Sequence, residues 1–151
     1  MLQRIKKLMV FSSETTVDSQ LAEEQIHLAA AVLLVEVMMA DHEVKEEEVT
    51  QIIETLETLF GVEKEQSRLL IFEARQRHEE LVSLHEMTSI INDQRDQELK
   101  RKLVFAMWCI AFADNNKDKY EEHLIRKVAD LLYLSHSEFI QARHKALVRL
   151  S

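Results

Sequence analysis

A chain with no proline and a single glycine, Gly61, has almost nothing with which to build tight hairpins or interrupt a helix. Sheet-rich folds need such residues at their turns, so an all-α fold follows. Its 151 residues fit one domain, and at 46% apolar content they can bury roughly 70% of their unfolded surface, enough for a core of their own. The expected architecture is a single-domain helical bundle of about seven or eight helices.

Two segments dominate the apolar pattern. Leu28 to Ala40 holds one charge, Glu36, and Leu103 to Ala113 holds none. Both fall short of the roughly 20 residues a bilayer core requires, so each reads as a buried bundle helix. Before them, Met1 to Phe11 places Leu2, Ile5, Leu8 and Met9 on one face beside Arg4, Lys6 and Lys7. A terminal helix covering the bundle, contact with an anionic membrane surface and docking to a partner helix all fit that pattern, and an uncleaved segment is expected. Ser12 to Ser19 reads as a polar connector, with Asp18 or Ser19 capping the next helix. Residues 1–17 are therefore taken as amphipathic helix plus connector, and 18–151 as the helical domain.

Further helices are expected over Glu46 to Phe60, ended by Gly61, and over Glu63 to about Arg77, with Leu69, Leu70, Phe72 and Ala74 inward and a break over His78 to Val82. Others start at Ser83, at Asp96 and at Lys119, the last running to Tyr133 with Leu124, Ile125, Val128, Leu131 and Leu132 inward. The spacings Ser83 to Glu86 and Ser135 to Glu138 each predict a capping box.

A formal charge of −8, from 27 acidic and 19 basic side chains, gives a field that repels phosphate backbones, so nucleic acid is not an expected partner. The lone cysteine, Cys109, makes no internal disulfide and suits a cytoplasmic location. No glycine-rich phosphate loop, nucleophile elbow or cysteine beside a base is present, so no enzyme is expected.

One short acidic signature occurs twice, 73 residues apart: Ala40-Asp41 followed by Glu48, and Ala113-Asp114 followed by Glu121. In that register Val37 falls on Ile110, Ile52 on Ile125, Leu59 on Leu132 and Phe60 on Tyr133. The match reads as an internal duplication with halves of about 20–80 and 93–148 and pseudo-twofold organisation. Each signature lies where an apolar helix ends and a polar one begins. A turn there can bring two carboxylates together, where a cation, a basic side chain or helix-end amides must separate them. The second copy alternates oxygen donors through Asp114, Asn116 and Asp118, which suits a hard cation such as calcium or magnesium. Neither copy is an EF-hand: Lys119 and Ile125 stand where that loop needs glycine and a closing glutamate, as do Glu46 and Ile52 in the first. Simple helix capping explains the same acids, and the two readings stay level. His42 and His123 raise zinc as a further option. Glu36 pairs with a basic group, leaves through a helix face to solvent, or adds a ligand to the first turn.

The run Met39-Ala40-Asp41-His42-Glu43-Val44 into Glu46-Glu47-Glu48 resembles the tellurite-resistance TerB family. Closer still is Ile110-Ala111-Phe112-Ala113-Asp114 into Tyr120-Glu121-Glu122-His123-Leu124-Ile125, continuing to Phe139. The resemblance implies an all-helical, duplicated domain of bacterial proteins linked to tellurite and other chemical stress, with acidic residues proposed to bind metal. Similar domains accompany J-domains in some co-chaperones. By position it implies Asp41, Glu47 and Glu48 in the first copy and Asp114, Glu121 and Glu122 in the second, to which the alternating donors add Asp118. His42 and Asn115 stand where the family usually has glycine. The expected ligand is a divalent cation, calcium or magnesium ahead of zinc or manganese, and the expected partner is a protein.

Overall fold

The computed structural model describes residues 11–40, 45–79, 83–113 and 119–150. Among them are seven helices and no strand: α1 Phe11–Met38, α2 Glu46–Phe60, α3 Lys64–Glu79, α4 Leu84–Asp93, α5 Gln97–Phe112, α6 Lys119–Leu131 and α7 His136–Leu150. The expected all-α fold is what the chain adopts. No described helix is long and apolar enough to cross a membrane.

The core is built on the two apolar helices. Ala29 through Val35 of α1 and Ala106 through Ala111 of α5 are buried at every consecutive position. A helix apolar on all sides is stable only when surrounded, and both are. Helix α2 packs on α1 and α5, and α6 packs on the same two. Helix α3 lies along α1, and α7 along α5.

Both of those pairs run in one direction, and polar contacts fasten them. Near the ends of α1 and α3, the Glu36 carboxylate meets His78 Nδ1 at 2.7 Å. Near the ends of α5 and α7, Arg149 Nη1 donates to Cys109 Sγ at 3.7 Å. Burial pushes the Cys109 thiol pKa up, partly offset by the Arg149 guanidinium, so the group behaves as a core thiol. Position 36 falls on position 109 in the 73-residue register of the sequence, and each of the two carries a polar contact of different chemistry. The charge of Glu36 is thus accounted for by His78.

Helix ends follow local chemistry. Gly61 takes φ 68°, and its N–H donates to Glu57 O, closing α2 with a left-handed residue. Tyr133 does the same after α6 at φ 60°, with Tyr133 N donating to Asp130 O and Leu134 N to Ala129 O. Helix α6 therefore stops at Leu131 instead of reaching Tyr133. The Asp96 carboxylate caps α5 by accepting from Leu99 N. Ser83 caps α4 through His85 N, one residue earlier than a capping box with Glu86 requires. Ser135 and Glu138 form the full box: Ser135 Oγ accepts from Glu138 N, and Glu138 Oε1 accepts from Ser135 N.

Three expectations are corrected. Ser12 to Ser19 is helical and not a connector, because it contains no glycine or proline, and extending an existing helix through Ser and Thr costs little per residue. Helix α3 continues through His78 and Glu79, where a break was expected. Leu69 and Phe72 face solvent, each 63% exposed. The buried stripe of α3 is instead Ser67, Leu70, Ile71 and Ala74, spaced by three and four, and it continues to His78. The segment 1–10 lies outside the described residues.

Glu138 carries the clearest pH dependence. Gln97 Nε2 donates to its Oε2 at 2.8 Å, the Ser135 N–H follows, and Arg101 Nε donates at 2.9 Å. Together they hold its carboxyl at about 2, below the usual 4.5. A depressed carboxyl contributes stability that is complete above the unfolded pKa and lost as pH falls through the folded one. Urea unfolding of Glu138→Gln should show a deficit against the parent chain that is constant above about pH 4.5 and shrinks towards pH 2. A deficit independent of pH would assign the effect to packing.

Candidate functional site

The two acidic signatures meet the structure at the first turns of α2 and α6. Glu48 is the third residue of α2 and Glu121 the third residue of α6. Their relative exposures are 0% and 2%, so both carboxylates lie in the interior. Both take part in polar or electrostatic contacts. Their neighbours in the signature, Glu47 and Glu122, are exposed. Asp41, Asp114 and Asp118 lie outside the described residues, as does His42, while His123 is exposed.

Helical phase explains which acid goes inside. Glu48 precedes Ile52 by four residues and Leu56 by eight, and both of those are fully buried. Glu121 stands in the same relation to Ile125 and Ala129. Each glutamate therefore continues an apolar stripe back to the helix start, and its neighbours at 47 and 122 fall off that stripe. The signal was available in the sequence, and only the comparison of phase separates the pairs 47/48 and 121/122.

An interior carboxylate is costly unless compensated. The first turn supplies part of the compensation, since its free N–H groups and the helix dipole favour negative charge. Simple capping accounts less well for α2. Its N-cap residue is Lys45, which makes no side-chain cap bond, so the usual Ser, Thr, Asp or Asn oxygen is missing there. In α6 the corresponding position, 118, lies outside the described residues. Among the described residues no group of three or more His, Cys, Asp or Glu side chains converges to hold a metal ion. What the described residues supply is one buried carboxylate per turn. As oxygen donors, both are of the type that a hard cation takes.

Comparison with known proteins bears on the same segments. The sequence profile of the family described as "Tellurite resistance protein TerB" matches residues 27–144, most of the chain and both signatures. The chain belongs to the TerB family. Searches of curated proteins and of solved structures return no match. The matched span of this TerB domain starts inside α1 and ends inside α7, so it takes in both apolar helices and both buried glutamates.

The contrast within each signature gives a direct test. Glu48→Gln and Glu121→Gln should each lower the unfolding free energy by about 1 to 3 kcal/mol, since a buried charged group loses partners arranged for it. Glu47→Gln and Glu122→Gln should stay within about 0.5 kcal/mol of the parent. Chemical denaturation of the four variants measures this, and equal effects within each pair would contradict the placement.

Proposed function

We propose that this TerB domain is a non-enzymatic module whose two acidic turns bind a divalent cation, calcium or magnesium ahead of zinc or manganese. The reading rests on one observation above the others: both copies of the signature bury the glutamate at the third residue of the helix that follows the turn. In the proposed sites Glu48 acts with Asp41, and Glu121 with Asp114 and Asp118. Glu47 and Glu122 face solvent and contribute mainly to the local negative field. A cation would neutralise the paired carboxylates. Glu48 and Glu121, fixed by α2 and α6, would then hold each turn against its helix, setting the angle presented to a protein partner. Membership of a family named for tellurite resistance supports reading the domain as part of a response to tellurite and related chemical stress, and we place it in the cytoplasm as part of the same proposal.

A second reading, a metal-free interaction domain with an acidic docking face, is favoured by Leu69 and Phe72, two large apolar side chains that α3 presents to solvent. It carries a different expectation. A chelator would leave partner capture unchanged, whereas charge reversal at the exposed Glu46 and Glu47 would abolish it.

Titration calorimetry and thermal melting at neutral pH with calcium, magnesium, zinc and manganese test the leading reading. At least one cation should give saturable heat and raise the melting temperature, and Asp114→Asn with Glu121→Gln should weaken its binding at least tenfold. No heat and no shift in melting across all four would contradict it.

A further inference from the structure

A cavity of about 450 Å³ lies between α1, α3 and α4, away from the acidic turns. Pockets for small ligands fall in the range of roughly 300–1,000 Å³, lined by apolar side chains with a few polar groups that set orientation. This one has that composition. Its apolar lining includes Leu28 and Ala29 of α1 with Met87 and Ile90 of α4, and Ala29 and Met87 are buried core residues. Its basic groups are Arg77, in the last turn of α3, and His85 of α4.

Arg77 is incompletely used by the protein. Its Nη2 donates to Glu73 Oε1 at 3.4 Å, a long contact within one helix. Its Nε is buried and has no hydrogen-bond partner. A guanidinium offers Nε–H and Nη–H as a planar fork that matches a carboxylate; the Nε–H is closed to solvent, so a ligand engages it only when the side chain, 36% exposed, turns toward the cavity. The orphan donor and the cavity are independent observations that meet at one residue. Glu86, also on the lining, adds a negative charge nearby, which disfavours a doubly charged anion such as a phosphate monoester.

We propose that this cavity binds a small monocarboxylate bearing an apolar chain, with the carboxylate on Arg77 and the chain against Leu28, Met87 and Ile90. The site shares no residue with the acidic turns, so cation binding there and carboxylate binding here stand or fall separately.

Octanoate and octanol serve as probes of equal chain length, titrated into the full chain and followed by calorimetry and by amide chemical shifts. Octanoate should bind saturably with one site per chain, at least tenfold more tightly than octanol, with the largest shifts around Arg77, Met87 and Ile90. Arg77→Gln should reduce octanoate to the level of octanol. Arg77→Lys, which keeps the charge but lacks the fork, should recover only part of the loss. Equal binding of the two probes by the parent chain would overturn the proposal without reference to any variant. So would non-saturable octanoate binding, or unchanged affinity in a folded Arg77→Gln protein.

Discussion

The fold depends on two helices that cannot tolerate water on any side. From Ala29 to Val35 and from Ala106 to Ala111 every residue is buried, so these stretches of α1 and α5 must be enclosed on all sides by the remaining helices. That requirement explains why α2 and α6 each touch both apolar helices and why α3 and α7 lie along one each. It also explains how sparingly polar groups enter the interior. Glu36 is matched by His78, Cys109 by Arg149, and Asn92 Nδ2 by the Leu131 carbonyl at 3.0 Å, so the described anchors are single, short-range pairs and not networks.

The same enclosure draws Glu48 and Glu121 inside. Both covering helices begin where an apolar helix has just ended, so their first turns are pressed against the core. Removing a carboxylate from water costs on the order of several kcal/mol even after relaxation. The helix N-terminus returns about 0.3–1 kcal/mol, and up to about 2 in partly buried geometries. The dipole alone therefore loses to desolvation, and the polar or electrostatic contacts that both carboxylates make offset part of the rest. A chain selected only for stability would more simply place an apolar side chain at 48 and 121, in phase with Ile52 and Ile125. The presence of a buried acid at both positions is what supports the proposed role for the turns.

Much of the fold was legible because it rests on local chemistry. The scarcity of glycine and proline excluded sheets, Gly61 marked its helix end, and Ser135 with Glu138 formed the box their spacing implied. Elements that depend on tertiary choice were less legible. Helix α3 carries two candidate apolar stripes, and packing against α1 selected Leu70, Ile71 and Ala74 over Leu69 and Phe72. The polar run Ser12 to Ser19 lacks any residue that forbids helix, so α1 extends through it. At the candidate site, the sequence reading grouped buried and exposed glutamates together; the phase of Ile52 and Ile125 separates them. The sequence marked Glu36 as a charge in need of a partner but not His78 as that partner, and the orphan donor of Arg77 had no sequence signal, since the helices that create these contacts meet only in the folded chain.

We infer that the buried glutamates of the two turns, besides the contacts they make within the chain, also ligate a divalent cation. Crystals grown with manganese, with anomalous scattering collected to locate the ion, test it most directly. The account predicts an anomalous peak roughly 2.0 to 2.6 Å from a carboxylate oxygen of Glu121, of Glu48, or of both. Well-ordered turns in which both carboxylates bond only to protein N–H groups, with no ion at either, would contradict it.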